Sequence, residues 1–217
     1  TARHSNSRNL MPAYLLFPLA IVAAYLLGSV PFAIISSKIF GLADPRSYGS
    51  KNPGATNVLR SGNKLAALLT LIGDSAKGAV AVLIAQYYGG TMASGQALIV
   101  VVALAVFFGH LYPLFLGFKG GKGVATAAGI LLAIDPLLGL VTLATWLSIA
   151  FIFRYSSLSA LVAATVAPVS AVLMWGADMR LWAVATIAFI LIGKHWQNLQ
   201  RLMAGTEPKI GGKKKDA

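Results

Sequence analysis

The chain has 217 residues, of which 57% are hydrophobic and only 11% are charged, with a mean hydropathy of +0.75. Soluble domains carry roughly 25% charged residues, so this composition argues against an ordinary soluble protein and against a disordered one. Eighteen Lys and Arg against six Asp and Glu give a formal charge of +12, and there is no cysteine. We therefore expect a small, basic membrane protein with several spanning helices and with no disulfide, metal site or cofactor.

Seven apolar stretches are candidates for membrane helices, because a crossing needs about 20 mainly apolar residues. They lie at Pro12–Ser37, Leu65–Tyr88, Ala93–Phe118, Gly123–Ile134, Leu137–Phe153, Leu158–Gly176 and Leu181–Lys194. Pro31 predicts a kink or an end of the regular helix inside the first stretch. The fourth stretch has only twelve residues, so its length alone leaves a re-entrant segment open.

The distribution of positive charge favours seven crossings. If all seven stretches cross, the segments 38–64, 119–122, 154–157 and 194–217 share one side and carry 14 Lys and Arg, against three on the other side. A re-entrant fourth stretch would divide them 8 to 9. Because cytoplasmic loops carry the excess of Lys and Arg, we expect the N-terminus outside and the C-terminus in the cytoplasm. The loop beside the short fourth helix is expected at membrane depth in a wet cavity.

The chain is expected to form one domain. We divide it into an N-terminal extension or cloning remnant (1–11), a seven-helix membrane domain (12–205) and a basic C-terminal tail (206–217). The lysines Lys213–Lys215 in that tail are expected to be attracted by anionic lipid. The sequence shows no convincing signal peptide and no inverted repeat of the transporter kind.

The first polar cluster, residues 48–60, reads YGSKNPGATNVLR. The Asn-Pro-Gly within it is typical of a solvated turn, which explains the glycines and the proline. That interpretation does not explain why hydroxyl, amide and guanidinium donors are grouped just before a membrane helix. We therefore favour a binding loop.

The second polar cluster, residues 109–126, reads GHLYPLFLGFKGGKGVAT. Glycines let backbone N–H groups approach a ligand closely, and a following helix N-terminus favours an anion, so the segment is typical of a phosphate cradle. It is not a Walker A loop, because the residue five after Gly117 is Lys122 rather than glycine, and ATP hydrolysis is not supported. A plain turn with two cytoplasmic lysines is the alternative, and it leaves so many glycines unexplained.

Two further groups of polar residues stand out. Asp74 and Lys77 are three residues apart inside the second stretch, so they can pair either as part of a site or as a structural ion pair. His195, Asn198 and Arg201 recur every three residues after the last stretch. In a continuing helix they would present one polar face, to a ligand or to water.

The polar clusters together predict a cytoplasmic-side site for a phosphorylated ligand with a lipid tail. An enzyme is one interpretation. A transporter or channel for an organophosphate anion is another, although the one-sided clusters and the missing repeat symmetry disfavour it. A non-catalytic lipid-binding scaffold is the third, and it leaves the density of hydroxyl and amide donors unexplained.

The motifs resemble the three signature regions of the bacterial PlsY family of acyl-phosphate:glycerol-3-phosphate acyltransferases. The matching segments are SKNPGATN (50–57), the cluster at 109–126 and HWQNLQRL (195–202), with GSVPF (28–32) and DSAKG (74–78). The resemblance runs from about Ala13 to Gly205 and implies an all-α, seven-helix enzyme of the bacterial cytoplasmic (inner) membrane. Its implied reaction transfers a fatty acyl group from acyl phosphate to the 1-hydroxyl of glycerol 3-phosphate, the committed step of phospholipid biosynthesis. The implied partners are both substrates, membrane lipid and a soluble enzyme that makes acyl phosphate, and no nucleic acid.

The resemblance also implies roles for individual residues. Six are expected to be catalytic: Ser50, Arg60, Lys119, Ser157, His195 and Asn198. Among these, the first four would hold the reacting phosphates, and the last two would close the site. The residues expected to bind substrate or phosphate around them are Asn52, Gly54, Thr56, Asn57, Asp74, Lys77, His110, Gly120, Gly121, Lys122, Gly123, Thr126 and Arg201.

The sequence departs from the family pattern at two positions. Lys51 stands where the family often has glycine, which predicts that the backbone there does not need a positive φ. Ala33 stands where glycine is common, which affects local packing alone. The sequence also has no His-x-x-x-x-Asp pair, and no Ser-His-Asp set suggests itself. We therefore expect direct attack on acyl phosphate without an acyl-enzyme, with a phosphate oxygen of the donor accepting the hydroxyl proton.

Overall fold

The computed structural model describes residues 13–90 and 92–211, which contain no strand. They form ten α-helices: α1 (Ala13–Ser29), α2 (Phe32–Ile39), α3 (Ala55–Leu59), α4 (Lys64–Gly89), α5 (Gly95–Leu111), α6 (Val124–Ile134), α7 (Pro136–Phe153), α8 (Ser156–Trp175), α9 (Arg180–Lys194) and α10 (Trp196–Met203). A 3₁₀ turn follows α5 at Leu114–Leu116. The predicted extension 1–11 and the lysines Lys213–Lys215 lie outside the described residues.

The seven apolar stretches all coincide with helices, which confirms the all-α class. Within the described residues, five helical segments have the length and composition to cross a membrane: Tyr14–Ile39, Lys64–Gly89, Gly95–Leu116, Pro136–Phe153 and Ser156–Trp175. Helix α6 has 11 residues and α9 has 15, so they are shorter than a standard crossing. Large apolar side chains face outward, and Phe151, Leu173 and Phe189 are each at least 80% exposed, as on a surface that contacts lipid. The number of crossings and their orientation stay predictions.

The break predicted at Pro31 is confirmed, because α1 ends at Ser29 and α2 begins at Phe32. Proline cannot donate a backbone hydrogen bond, so a helix that reaches it leaves carbonyls to be satisfied in another way. Here the ammonium group of Lys77 in α4 donates to the carbonyl of Val30 at 3.1 Å. The break between α1 and α2 is therefore tied to the middle of α4.

Glycines let the central helices pack backbone to backbone. A Cβ at Gly28 would overlap the carbonyl of Val106, and one at Gly109 would overlap the carbonyl of Tyr25, so α1 and α5 are in direct contact. Gly129 of α6 packs in the same way on Ser75 of α4. Small residues at such contacts are typical of helix association in lipid. They fix α6, and the glycine-rich loop before it, against α4.

Hydrogen bonds bring four polar segments together at one end of the helices, namely residues 48–60, 109–126, 154–157 and 194–210. Thr56 Oγ1 lies 3.0 Å from Ser156 Oγ, which joins the first segment to the start of α8. Lys122 donates to Asn198 and so joins the glycine-rich loop to α10. The tail returns to the connection between α7 and α8, where Ile210 N donates to the carbonyl of Arg154 at 2.6 Å.

Candidate active site

Asn57 organises the first loop. It is 1% exposed, and both ends of its side-chain amide are occupied. Its Oδ1 accepts hydrogen bonds from Ser50 N at 3.0 Å and Arg60 Nη1 at 3.3 Å. Its Nδ2 donates to the carbonyls of Pro45 at 2.6 Å and Tyr48 at 3.2 Å. Asn57 therefore fixes the conformation of the loop and orients the Arg60 guanidinium through these hydrogen bonds.

Lys51 adopts a φ of 56°, so the prediction that its backbone would avoid positive φ is wrong. The reason is a tight turn in which the carbonyl of Tyr48 accepts from both Lys51 N and Asn57 Nδ2. Among the described residues, Phe118 and Arg154 are the other non-glycine positions with positive φ, at 62° and 63°. All three lie in the polar segments, where strained backbone conformations that function requires tend to cluster.

The glycine-rich loop carries two lysines that differ in burial and contacts. Lys119 is exposed, whereas Lys122 is half-buried and donates to Asn198 Oδ1. Gly123 immediately precedes α6 and has a φ of 84°, which a residue with a side chain rarely adopts. The loop therefore ends at a helix N-terminus with backbone N–H groups and two cations nearby, as a phosphate cradle requires.

Glu207 joins three of the candidate residues, although the sequence analysis did not single it out. It is 8% exposed and receives three hydrogen bonds. Ser157 Oγ and Asn198 Nδ2 each donate to Oε1 at 2.6 Å, and Arg201 Nε donates to Oε2 at 2.7 Å. Burial alone would raise the pKa of Glu207, but these hydrogen bonds outweigh it and hold the pKa below its usual value. The carboxylate is therefore ionised at neutral pH.

Arg201 pairs directly with the Glu207 carboxylate, and Arg60 and Lys122 interact with it electrostatically from beyond ion-pair distance. Desolvation, together with repulsion from Arg201 and Arg60, lowers the pKa of Lys122 to about 8, against an opposing attraction from Glu207. Desolvation also lowers the pKa of Arg60, again with Glu207 opposing and Arg201 adding to the shift. Three cations therefore share one carboxylate, and the excess positive charge favours an anionic ligand.

His195 is held neutral at the junction of α9 and α10. Its Nδ1 lies 2.8 Å from the carbonyl of Leu191, which can only accept, so Nδ1 carries the proton. Burial is the largest cause of the lowered pKa of His195, which is about 4. At neutral pH, Nε2 therefore keeps a lone pair and can accept a hydrogen bond.

Asp74, Lys77 and His110 form a separate buried group, the intramembrane triad. The predicted ion pair is confirmed, since Lys77 Nζ lies 2.8 Å from Asp74 Oδ1. His110 Nδ1 lies 3.5 Å from the same oxygen. The three residues are at most 7% exposed, and their charged groups contact one another rather than the cations around Glu207.

The structure thus divides the expected site residues into groups. The residues linked around Glu207 by hydrogen bonds or electrostatic coupling are Arg60, Lys122, Ser157, His195, Asn198 and Arg201. Asn57 holds Ser50 beside them, Asn52 and Gly54 form the turn before α3, and Thr56 reaches Ser156. Thr126 is completely buried, and its hydroxyl has no partner among the described residues. Nor does any group of three His, Asp or Glu side chains there fit a metal ion.

Glu207 was missed because it lies four residues beyond the last helix, in a segment that resembles a tail. One signal in the sequence could have identified it, since it is the only glutamate in a chain with six acidic residues and 18 cations. A glutamate that follows the polar positions His195, Asn198 and Arg201 was a candidate for an ion pair or hydrogen bond with them. Its partner Ser157 is 50 residues away, however, and no local pattern reveals such a contact.

A family model described as glycerol-3-phosphate acyltransferase matches residues 18–205. A glycerol-3-phosphate acyltransferase of Dechloromonas aromatica is 67% identical over 197 residues, which are 91% of this chain and 98% of that protein. One from Cupriavidus taiwanensis is 62% identical over 203 residues, covering 94% of this chain and 99% of that protein.

Two solved structures are similar as well. The crystal structure of PlsY, an integral membrane glycerol 3-phosphate acyltransferase, in its glycerol 3-phosphate form has a TM-score of 0.83 and is 35% identical. It covers 89% of this chain and 95% of the PlsY chain. The lysophosphatidic acid form of PlsY has a TM-score of 0.81 and is 34% identical, with the same coverage.

Proposed function

This chain belongs to the glycerol-3-phosphate acyltransferase family, and we propose that its acyl donor is acyl phosphate. The reaction transfers a fatty acyl group to the 1-hydroxyl of glycerol 3-phosphate and gives lysophosphatidic acid and inorganic phosphate. It is the committed step of phospholipid biosynthesis. The two similar PlsY structures are a glycerol 3-phosphate form and a lysophosphatidic acid form, which supports the same acceptor and product here.

The observation that carries the donor assignment is the charge arrangement around Glu207. Arg201 pairs with the single ionised carboxylate of Glu207, and Arg60 and Lys122 are coupled to it electrostatically, in a chain without cysteine. Such a site can neutralise a phosphate leaving group, but it offers no thiolate nucleophile. The Ser157 hydroxyl donates a hydrogen bond to Glu207, whose pKa is lowered. Glu207 is therefore too weak a base to activate Ser157 as a nucleophile. An acyl phosphate is already an activated mixed anhydride, so it needs neither a thiolate nor an activated serine as a nucleophile.

The proposed mechanism is a direct, substrate-assisted displacement. The 1-hydroxyl oxygen of glycerol 3-phosphate attacks the acyl carbonyl carbon, and a carbon–oxygen ester bond forms. The bond between that carbon and the bridging phosphate oxygen breaks, and its electron pair leaves with the phosphate. A phosphate oxygen of the donor accepts the hydroxyl proton. Because the acceptor hydroxyl attacks the donor directly, no acyl-enzyme forms. The protein supplies orientation and electrostatic stabilisation of the developing charge.

The proposed roles follow the site groups. Ser50, Arg60, Lys119 and Ser157 hold the two reacting phosphates, and His195 and Asn198 close the site. The backbone of residues 120–123 and the side chain of Lys122 complete the phosphate cradle. The neutral Nε2 of His195 suits hydrogen bonding to a substrate hydroxyl.

The chain is a multi-pass membrane protein, and we place it in the bacterial inner membrane with the site facing the cytoplasm. The excess of Lys and Arg in the segments that form the site supports this orientation. A cytoplasmic site is also accessible to water-soluble glycerol 3-phosphate and to a soluble enzyme that makes acyl phosphate. The acyl chain of the donor would lie in the bilayer.

The test is phosphate release by the purified protein in detergent. Palmitoyl phosphate is supplied with and without glycerol 3-phosphate, and palmitoyl-CoA is supplied in a parallel reaction. We expect phosphate release that requires glycerol 3-phosphate and yields lysophosphatidic acid. Transfer from the CoA thioester alone would overturn the donor, and no product from either donor in folded protein would overturn the reaction. In that last case, uptake of glycerol 3-phosphate into liposomes would test a transporter.

A further inference from the structure

We infer that Asp74, Lys77 and His110 are positioning residues that hold the glycine-rich loop at Gly120–Gly121 in the geometry acyl transfer needs. This inference rests on the proposed function and gives the intramembrane triad a role within it. The three side chains act through the loop backbone, without contact with either phosphate.

The charged groups of the triad are paired with one another. Ionised groups inside a membrane domain need partners, because an unpaired buried charge is very costly. Asp74 has Lys77 and His110 as partners, and Lys77 also donates to the carbonyl of Val30 at the break between α1 and α2. Asp74 neutralises the Lys77 ammonium, and the two contacts use two of its three N–H groups.

His110 contacts the glycine-rich loop through both its backbone and its ring. Gly121 N donates to the carbonyl of His110 at 3.2 Å, and Gly120 N donates to the carbonyl of Leu111 at 3.2 Å. A Cβ on Gly121 would overlap Nε2 of His110 and lie 2.9 Å from Cε1. The imidazole therefore lies directly against the Gly121 backbone, with no space for a methyl group between them.

The contact between His110 and Gly121 lies between the two lysines of the glycine-rich loop. Asp74 Oδ1 lies 3.5 Å from His110 Nδ1, on the opposite side of the ring from the nitrogen that faces Gly121, so the ring lies between Asp74 and Gly121. Lys119 and Lys122 flank the two glycines, and Lys122 reaches Asn198 of α10. A small displacement of the ring therefore moves both lysines, and a misplacement of about 1 Å in an active site can cost a factor of about 100 in rate.

The test is a double-mutant cycle between Gly121 and His110. Gly121→Ala introduces a methyl group where the ring lies, and His110→Ala removes the ring. Since the three atoms closest to a Cβ at Gly121 all belong to His110, the double variant has space for the methyl. Gly193→Ala is the matched control, because a Cβ there meets nothing within 4 Å.

We expect each single variant to lower kcat/KM per folded molecule at least tenfold, and the double variant to be more active than Gly121→Ala. Gly193→Ala should match the parent protein. Purely multiplicative losses in the double variant would overturn the inference. So would single variants that melt earlier but retain full kcat and KM per folded molecule, because that is what a merely structural role produces.

A second measurement does not depend on turnover. Amide hydrogen exchange of the loop peptide 117–123 should be at least tenfold faster in His110→Ala and in Asp74→Asn than in the parent protein. Asp178→Asn, which breaks an ion pair with Arg180 elsewhere, should leave loop exchange unchanged. Unchanged loop exchange in both triad variants would overturn the inference. Failure of acyl transfer in the parent protein would instead overturn the proposed function and leave this measurement valid.

Discussion

Lys122 of the glycine-rich loop donates a hydrogen bond to Oδ1 of Asn198 in α10. The Nδ2 of the same amide donates to Glu207 Oε1 at 2.6 Å. One amide therefore contacts a cation with its acceptor and a carboxylate with its donor, which fixes its orientation. Through it, the glycine-rich loop and the C-terminal segment belong to one hydrogen-bonded network. A change at either end is expected to affect the other.

Replacing Lys119 by alanine is expected to abolish turnover, with a loss of at least about 100-fold, because a positioned charge at the reacting phosphate is removed. The protein should remain folded, since Lys119 is exposed. Initial rates with palmitoyl phosphate and a melting curve in detergent measure both effects. Lys64→Ala is the control, because Lys64 is also exposed but begins α4 outside the proposed site. Near-normal turnover in Lys119→Ala would remove this residue from the site.

The activity is expected to depend on the protonation of Lys122. Its pKa is lowered to about 8, chiefly by desolvation, so the ammonium is charged below pH 8 and neutral above it. A neutral amine cannot attract phosphate, and kcat/KM should fall as the pH rises through about 8. Arginine stays protonated at this pH, so the falling limb should move upward in Lys122→Arg. If the alkaline limb of the pH profile were unchanged in Lys122→Arg, the loss of activity at high pH would come from a different group.

Glu207→Gln is expected to destabilise the protein and to reduce activity at least tenfold. The neutral amide keeps the size of the side chain but turns one acceptor oxygen into a donor that faces other donors. Each hydrogen bond to a charged group contributes about 1.5–3 kcal/mol, so the melting temperature in detergent should fall by several degrees. Asp44→Asn is the control, because Asp44 pairs with Arg46 at the surface. Exposed pairs contribute about 0–1 kcal/mol. Equal melting temperatures for the two variants would contradict the role of Glu207.

The same substitution is expected to have opposite effects at two asparagines. Asn57→Asp loses both donors to the carbonyls of Pro45 and Tyr48 and places a carboxylate against them. An unsatisfied buried group costs about 1–3 kcal/mol, so this variant should melt earlier and bind substrate more weakly. Asn63 caps α4 by accepting from Ala66 N at 2.9 Å. Aspartate caps equally well and suits the helix dipole, so Asn63→Asp should be neutral or stabilising.

Both asparagine variants are measured for melting temperature in detergent and for the KM of glycerol 3-phosphate. If Asn57→Asp were as stable as Asn63→Asp, Asn57 would not be the organising residue of the first loop.

Lys51→Gly is expected to raise the melting temperature relative to Lys51→Ala. A left-handed conformation costs a residue with a side chain about 1–2 kcal/mol, whereas glycine adopts it freely. The greater freedom of glycine in the unfolded chain offsets about 0.5–1 kcal/mol of that gain. Comparison with alanine removes the effect of losing the lysine side chain. A lower melting temperature for the glycine variant would mean that this turn is not strained.

The residues that the sequence placed correctly and those it did not differ in the range of their contacts. The break at Pro31 and the pairing of Asp74 with Lys77 depend on near neighbours, and both were predicted. The positive φ of Lys51 was not, because it follows from the hydrogen bonds that Asn57 makes across the loop. The hydrogen bonds of Glu207 were not predicted either, because its partners come from α8 and α10.

The sequence alone determined that this is an all-helical membrane protein whose cations and glycines gather in a few segments. Hydrophobic length and charge asymmetry are properties of consecutive residues, so they survive without a fold. Only the tertiary structure decided which polar groups share a site, because the decisive contacts join distant residues. Lys122 and Asn198 are 76 residues apart, and Ser157 and Glu207 are 50 apart. Tertiary packing also separated the intramembrane triad from the cations around Glu207, since buried charges must find their partners locally once water is excluded.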